Sequence, residues 1–275
     1  MTAASYPKHQ ARRWPGPARA RPIRARARRA AWLVTAAVAT ACHTTPVTGR
    51  QSLNAFSTAY DIELGREAYE QVLAEAQLIT TGPRHDMVVR VMTRLSSVAD
   101  DPGFEWEVNL IQGDKTVNAF ALPGGKMAVY TGLLPVCANE TGLAVVMGHE
   151  IGHVVARHGT ERMMSSFGLD WVLSMLHLGD AATLAQMSLD LFIGLPFGRV
   201  QETEADEIGL VYMAMAGYDP REAISFWQRM ESQSGSQPLE LLSTHPSNES
   251  RIEHLRAKLP AALAIWRAAV GGASR

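Results

Sequence analysis

Apolar side chains recur at helical spacing along much of this chain, with charged residues between them. The spacing predicts amphipathic helices over residues 60–78 and 85–98, because apolar positions three and four residues apart share one helix face. Two further helices are predicted by the same spacing over 201–216 and 221–230. A final amphipathic helix is expected to end near Leu259. The chain is therefore expected to be mostly helical.

A stretch of short strands is predicted in the middle of the chain. Residues 104–111 alternate apolar and polar side chains, which is the period of a half-buried strand. Segments 116–122 and 126–130 flank a Pro-Gly-Gly turn and complete a small antiparallel sheet. The alternation at 118–120 has two interpretations: it packs the sheet, or it forms an edge strand that pairs with an extended peptide.

Residues 140–164 form a strongly apolar helical stretch, which is expected to be buried on nearly all sides. Its centre nevertheless contains His149, Glu150 and His153. An unpaired buried polar group costs about 1–3 kcal/mol, so these side chains need polar partners or a metal ion. His158 follows His153 by five positions, off the face that the two histidines share, and is expected at the surface.

His149 and His153 have the spacing of two ligands to one zinc ion, because positions i and i+4 lie on one helix face. Glu150 is one step round the helix, where a carboxylate can take a proton from an attacking water. A catalytic zinc needs a third protein ligand, and Glu202 is the natural donor. Asp206, one turn later, can fix the orientation of a ligand histidine. Alternatively, these two acids belong to a solvated helix start.

Residues 165–198 are apolar but have no clear periodicity. Asp170, Asp180 and Asp190 interrupt them, so a membrane-spanning helix of about 20 residues does not fit. A pair of buried helices is the first interpretation of this segment. A flexible lid over the site and a face that lies on lipid are the alternatives.

Composition changes this picture mainly at the N-terminus. The chain of 275 residues has an ordinary globular balance, with 47% hydrophobic and 19% charged residues. Residues 1–42, however, contain nine of the 26 basic residues and no Asp or Glu. The remainder has 17 basic against 27 acidic residues. An acidic body of this kind disfavours nucleic-acid binding, because phosphate contacts need a positive surface.

The basic start leads into an apolar stretch over residues 30–42, which is too short to span a membrane and is typical of a secretory signal. Its Ala-Thr-Ala-Cys end is similar to a bacterial lipobox, in which Cys42 is lipidated after cleavage. An ordinary cleaved signal and an uncleaved anchor are the alternatives. The sequence thus predicts a signal peptide at 1–42 that ends in a lipobox.

One catalytic domain is expected after this signal. Residues 43–57 contain Pro, Gly and hydroxyl side chains without periodicity, which indicates an extended tether. The domain itself is expected over 58–260, followed by a short C-terminal tail at 261–275. Cys137 has apolar neighbours and is expected to be a small buried residue.

Five segments, in this order, resemble motifs of one enzyme family. They are residues 118–125 (NAFALPGG), 131–134 (TGLL), 149–153 (HEIGH), 199–206 (RVQETEAD) and 244–252 (THPSNESRI). The set is similar to the gluzincin zinc metallopeptidases of the CaaX prenyl protease and HtpX type, in particular to the soluble periplasmic branch that includes BepA and LoiP. The resemblance covers roughly residues 55–258. It implies an α+β fold, a mostly helical zincin-like domain with a small antiparallel sheet beside the HExxH helix.

The resemblance also implies roles for individual residues. It implies one zinc ion per chain, with His149, His153 and Glu202 as ligands and Glu150 as general base. It places Asp206 and Arg199 behind the ligands, and Asn118, Ala119, Phe120 and Ala121 along the substrate peptide. His245 is expected near the metal, either stabilising the oxyanion or acting as a removable fourth ligand, and Arg251 is expected to assist there.

These implications predict a zinc-dependent endopeptidase of the bacterial cell envelope that removes misfolded or misassembled proteins. The expected location is exported and periplasm-facing, as an outer-membrane lipoprotein. Its expected partners are polypeptides of the envelope and the membrane, through the N-terminal lipid. The alternative is a zinc-bound lipoprotein that acts mainly as an assembly or chaperone-like factor with latent protease activity. An integral membrane protease is a third interpretation.

Overall fold

The computed structural model describes residues 42–100, 103–168, 174, 186, 189, 191–233, 239–246 and 249–272. These residues belong to one compact unit, Ala41–Arg275. The expected signal peptide, the side chain of Cys42 and most of the expected helix pair at 165–198 lie outside the described residues. Lipidation of Cys42 and the helix pair therefore stay predictions.

Helices dominate the described elements, and a small sheet lies among them. The strands are β1 (Cys42–Thr44), β2 (Gln51–Leu53), β3 (Leu78–Ile79), β4 (Glu107–Ile111), β5 (Ala119–Leu122) and β6 (Lys126–Tyr130). The helices are α1 (Thr58–Glu75), α2 (Pro83–Ser96), α3 (Leu134–Cys137), α4 (Glu140–Val155), α5 (His158–Phe167), α6 (Arg199–Met215), α7 (Glu222–Gln233), α8 (Glu240–Thr244) and α9 (Glu249–Gly272). The expected α+β, mostly helical zincin-like class is confirmed.

The main sheet has the strand order β3-β4-β6-β5. Strand β5 pairs with β6 in antiparallel register, but β6 runs parallel to β4, with Glu107 opposite Lys126 and Ile111 opposite Tyr130. This parallel pair differs from the expected antiparallel set. The difference arises because the loop after β4 crosses to the far edge instead of making a hairpin. Strand β5 is consequently an edge strand of the described sheet.

Helices α4 and α6 cross in backbone contact, and this crossing is the centre of the fold. Gly148 of α4 and Gly209 of α6 face each other, and a Cβ atom at Gly209 would lie only 2.7 Å from the Gly148 carbonyl carbon. Side chains cannot fit between two backbones at this distance, so glycine is needed at the crossing. The close approach brings the first turns of α6 next to the His-Glu-x-x-His turns of α4.

The helix expected over 140–164 is divided in two. Arg157 adopts a left-handed conformation with φ of 56°, which ends α4 and starts α5 at His158. The Arg157 guanidinium donates to Asp61 Oδ2 and to the Phe56 carbonyl, both at 2.6 Å. These bonds to a separate part of the chain offset the cost of a left-handed non-glycine residue. The change of direction turns His158 back towards α4.

The segment expected to be an extended tether is packed on the domain instead. Strands β1 and β2 form a two-stranded antiparallel sheet, and we call residues 42–53 the N-terminal hairpin. Arg50, near its tip, makes ion pairs with Glu161 and Glu204, and Asn54 donates to Thr160 Oγ1 at 2.8 Å. Single polar contacts of this kind leave no hydrophobic period in the sequence, and this is why the hairpin was not predicted.

The last helix continues past the expected end near Leu259. Helix α9 includes Pro260 and extends to Gly272, so residues 261–272 of the expected C-terminal tail continue this helix. Proline removes one helical hydrogen bond. Beyond it, Ala262 is buried, and the Trp266 indole packs on the core and donates to the Gly217 carbonyl at 3.2 Å. This packing outweighs the loss at Pro260.

Within the described residues, no helix is both long enough and apolar enough to cross a membrane.

Candidate metal centre

Two histidines of α4 meet in the buried centre of the domain. The i, i+4 spacing places His149 and His153 on one helix face, with their Nε2 atoms 3.0 Å apart. The two residues are only 2% and 3% exposed. The sequence predicted that this spacing would put both imidazoles on one face. In the structure the two Nε2 atoms do lie close together.

Helix α6 supplies the carboxylate that was expected as third ligand. The Glu202 carboxylate lies opposite the two rings, with Oε1 3.4 Å from His153 Nε2 and Oε2 3.4 Å from His149 Nε2. Glu202 is 1% exposed. It reaches this position because it lies in the first turns of α6, near the glycine crossing with α4.

His245 enters the centre from the residues that follow α8. Its Nδ1 atom is 3.2 Å from His149 Nε2 and 3.0 Å from Glu202 Oε1. One donor atom from each of His149, His153, Glu202 and His245 lies within 4.8 Å of the other three. The arrangement can accept a metal ion, with His245 as a fourth donor beside the three expected ligands.

The charges of the centre fit a divalent cation. Three buried carboxylates, of Glu150, Glu202 and Asp206, stand against one buried guanidinium, that of Arg251. With neutral histidines and ionised carboxylates, this leaves an excess of two negative charges in a buried volume, which is costly without a cation. Imidazole nitrogens together with a carboxylate oxygen form the donor set of catalytic zinc sites.

The second nitrogen of His149 is held by α6. Its Nδ1 atom lies 2.9 Å from Asp206 Oδ1, as expected for a carboxylate that fixes a ligand ring. Burial lowers the pKa of His149, but hydrogen bonds with Asp206 and Glu202 outweigh burial and raise it to about 9. Burial keeps the pKa of His153 well below its usual value. The centre thus favours positive charge at His149, and a bound metal ion would supply that charge in place of the proton.

Glu150 lies beside the donor atoms and is anchored on the sheet. Its Oε2 atom accepts from the backbone N–H of Ala121 in β5 at 3.1 Å. Its Oε1 atom has no hydrogen bond from the described residues and lies 3.3 Å from His245 Nε2. Burial raises the pKa of the Glu150 carboxyl, which suits a group that must take up a proton.

Arg251 is in the centre, but its contacts differ from those expected of an oxyanion donor. The guanidinium donates to both oxygens of Asp206 at 2.7 Å and lies 2.7 Å from Glu202 Oε2. The Trp227 ring covers it, with the charged carbon 4.2 Å from the ring centroid. Arg251 therefore holds the two carboxylates of α6 in position.

The structure does not bring Arg199 to the centre. Its side chain is exposed at the first position of α6, and no hydrogen bond or ion pair within the described part of the chain joins it to the donor atoms. Arg199 does not contact the ligands in this structure, because its helical position faces solvent, and its expected support of the ligands stays a prediction. The segment 118–121, by contrast, does lie beside the centre through Ala121, and Ala119 and Phe120 are buried in the core.

Asn118 precedes β5 and has a structural role in this conformation. It is fully buried, its carbonyl accepts from Tyr130 N–H at 3.1 Å, and its side-chain amide donates to Glu240 Oε1 at 3.3 Å. These bonds tie the edge strand to α8 and hence to the segment that carries His245.

Two side chains of the centre were missed by the sequence analysis. His158 was expected at the surface, yet it is fully buried, with Nδ1 2.9 Å from His153 Nδ1. The helix break at Arg157 causes the difference, and a continuous helix could not have shown it. Phe197 precedes α6, and its ring lies 4.1 Å from the His153 ring and 5.5 Å from the His245 ring, measured between centroids.

Two histidines one turn apart that face a glutamate from a second helix, all able to hold a metal ion, are the arrangement of the gluzincin type. The fold and the centre together therefore define a zinc-dependent metallopeptidase. Residues 81–259 match peptidase family M48, and the chain belongs to this family. The predicted enzyme class, the zinc cofactor and the gluzincin family are confirmed.

The chain is similar in sequence to several curated proteases. The chain is 37% identical over 224 residues to the mitochondrial metalloendopeptidase OMA1 of Schizosaccharomyces pombe, which covers 79% of this chain and 66% of that protein. It is 31% identical to the OMA1 of Homo sapiens, over 80% of this chain and 46% of that protein. It is 30% identical to the β-barrel assembly-enhancing protease of Escherichia coli, over 81% of this chain and 48% of that protein. The chain spans from about half to two thirds of the length of these relatives.

The expected location is wrong. An exported, periplasm-facing outer-membrane lipoprotein was expected, but relatives with strong matches in yeasts, plants and animals are mitochondrial enzymes. The basic, acid-free composition of residues 1–42 explains the error, because it is common to bacterial secretory signals and mitochondrial targeting segments. The finer assignment to a periplasmic lipoprotein branch is not confirmed.

Proposed function

We propose that this chain is an endopeptidase that removes misfolded or misassembled proteins. The observation that carries the proposal is the hydrogen bond from Ala121 N–H of β5 to Glu150. Glu150, the proposed general base, therefore lies beside an edge strand, where an extended peptide can add to the sheet through its backbone. Selection by backbone pairing accepts many sequences, which suits clearance of unfolded chains.

The proposed reaction uses the residues of the centre as follows. A bound zinc ion supplies Lewis acidity, which polarises the scissile carbonyl and acidifies a water. Glu150 takes the proton of the attacking water and later delivers it to the leaving amine. Arg251 and Asp206 keep Glu202 and His149 in place, so that the donor set does not rearrange during the reaction.

Trapping of substrates tests the proposal. Glu150→Gln should bind substrates without cleaving them, so it should co-purify with proteins that do not co-purify with the wild type. The same proteins should accumulate in cells that contain only the variant and be absent from wild-type cells, as measured by quantitative mass spectrometry. A variant with a wild-type set of bound proteins and no accumulation would exclude a role in protein clearance.

A second candidate is an assembly or chaperone-like factor with latent protease activity. The closed centre favours it, since the ligand side chains and Glu150 are all at most 3% exposed and Phe197 covers His153. The E. coli relative is named for enhancing β-barrel assembly. Full rescue of a deletion strain by Glu150→Gln would support this candidate, whereas loss of rescue would support proteolysis.

The position of His245 predicts the effect of its removal. Because its Nδ1 atom joins the donor set, we expect it to hold the centre in this closed form, and His245→Ala should raise the rate of peptide cleavage. The loss of one interaction of about 1 kcal/mol gives an increase of about fivefold. Cleavage of a fluorogenic peptide by the two proteins at equal zinc content measures the change. A lower rate would instead make His245 an oxyanion donor.

His254→Ala is a matched control for this experiment. His254 also pairs with a glutamate, with its Nε2 atom 3.1 Å from Glu207 Oε2, but on the partly exposed side of α9. The control should leave the cleavage rate unchanged.

A further inference from the structure

The ligand His153 is held from behind by a second histidine. Its Nε2 atom faces the donor set, 3.0 Å from His149 Nε2, and its Nδ1 atom faces His158 Nδ1 at 2.9 Å. A neutral imidazole that offers Nε2 to a metal carries its proton on Nδ1. His153 therefore donates this hydrogen bond and His158 accepts it.

This direction fixes the next hydrogen bond. A neutral His158 that accepts at Nδ1 carries its proton at Nε2, and that atom lies 2.9 Å from Glu204 Oε2. His153, His158 and Glu204 are 3%, 0% and 5% exposed. With the carboxylate ionised and both rings neutral, one arrangement of protons satisfies both bonds, and it runs from Glu204 through His158 to the metal ligand.

The N-terminal hairpin holds the far end of this arrangement. Arg50 Nε and the Thr48 hydroxyl both donate to the Glu204 carboxylate. The Arg50 guanidinium also donates to both oxygens of Glu161, at 2.7 and 2.8 Å. Since Glu161 is on α5 with His158 and Glu204 is on α6, one arginine of the hairpin fixes both helices at the back of the centre.

The other ligand histidine shows the same design in a shorter form. His149 Nδ1 meets Asp206 directly at 2.9 Å, and Arg251 holds that carboxylate. The hydrogen bonds behind each ligand ring thus lead to a carboxylate of α6, and an arginine donates to that carboxylate. For His153 the carboxylate is too far for direct contact, and the His158 ring fills the gap.

We propose that Arg50, Glu204 and His158 form a positioning chain for the zinc ligand His153. Through Arg50, the N-terminal hairpin therefore helps to orient a ligand of the metal centre. The chain keeps the His153 proton on Nδ1 and holds the ring at the angle that zinc needs. The proposal rests on the zinc site and is independent of the substrate. None of the three residues touches the reacting atoms.

Zinc release tests the positioning chain without reference to activity. His158→Phe fills the same volume but neither accepts nor donates, so release of zinc from the full-length protein to a chromophoric chelator should become about 10–100-fold faster. The visible spectrum of the cobalt-substituted protein should shift, because the ligand field at His153 changes. His158→Gln should restore much of the wild-type rate, since its carboxamide can accept from His153 and donate to Glu204.

Arg50→Met tests the contribution of the hairpin and keeps the fold measurable, because Arg50 is partly exposed. It should also speed zinc release, and the double variant Arg50→Met/His158→Phe should release zinc no faster than His158→Phe alone, since both act through one chain. Arg229→Met is the matched control. Arg229 has a similar side-chain exposure, 31% against 24% for Arg50, but it binds Glu222 and the carbonyls of Val136 and Cys137, away from the centre.

The outcomes separate the proposal from its premise. Folded His158→Phe and Arg50→Met proteins with wild-type zinc release and cobalt spectrum would overturn the positioning chain. So would an Arg229→Met protein that releases zinc as fast as Arg50→Met, because the effect would then be one of general stability. A wild-type protein that binds no zinc would instead overturn the metal centre itself.

Discussion

Glu150→Gln should abolish peptide hydrolysis and leave the zinc content unchanged. The amide has the shape of the carboxylate, and its oxygen can still accept from Ala121 N–H, so the side chain should stay in place. It cannot take the proton of the attacking water. General base catalysis contributes about 10²–10⁴-fold, and the cleavage rate should fall by at least that factor. Atomic absorption and a fluorogenic peptide assay measure the two quantities.

Glu140→Gln is the matched control for this variant. Glu140 lies in the first turn of the same helix, α4, and pairs with Arg90 at 2.6 Å on the surface. This change should leave both zinc and rate unaffected. A Glu150→Gln protein that retains zinc and cleaves within tenfold of the wild-type rate would remove Glu150 from the role of base and leave the proton transfer to another group.

The location of Glu150 shows how sheet and helix cooperate in this fold. Helix α4 alone fixes the base relative to His149 and His153, but the helix does not decide where a substrate lies. The bond from β5 ties Glu150, the proposed base, to the edge strand, so the scissile bond of a paired peptide would lie beside it. Because Ala121 N–H is engaged by Glu150 in the closed form, peptide pairing and the position of the base are coupled.

Local spacing explains which parts of the site could be predicted from the sequence. His149, Glu150 and His153 are within one helical turn of each other, so their relative positions follow from helix geometry alone. Glu202 and Asp206 share a helix face by the same rule, and the need for a third ligand favoured their helix, but spacing alone did not exclude a solvated helix start. The glycines of the crossing have no side chain that would indicate their role, although they determine how closely the two helices approach.

The features that were missed depend on contacts distant in sequence. His158 is buried because Arg157 leaves the helical conformation, and Arg157 does so because Asp61 and Phe56 bind it from nearly 100 residues away. The N-terminal hairpin similarly depends on Arg50 meeting acids of α5 and α6. Such pairs leave no periodic pattern of hydrophobic residues in the sequence, and nothing local distinguishes Arg50 from a solvated arginine.

Removal of zinc should destabilise the protein strongly, and Glu202→Gln should abolish this dependence. A metal ion that binds only the folded state at about 1,000 times its dissociation constant adds about 4 kcal/mol to the free energy of unfolding. For a domain of this size each kcal/mol shifts Tm by about 2–4 °C, so a chelator should lower the wild-type Tm by about 8–16 °C. Thermal denaturation followed by circular dichroism measures the shift.

Glu202→Gln removes the charged donor from the centre but keeps the size of the side chain. Arg251 and the histidines then face a neutral amide, the excess negative charge falls, and zinc should be lost during purification. The variant should therefore show the same Tm with and without chelator. Glu207→Gln, on the same helix but paired with Lys258 at the surface, should keep the full wild-type shift. If Glu202→Gln kept that shift as well, His245 would have to be the third ligand, and the closed centre would be the zinc-binding form of the enzyme and not a latch on it.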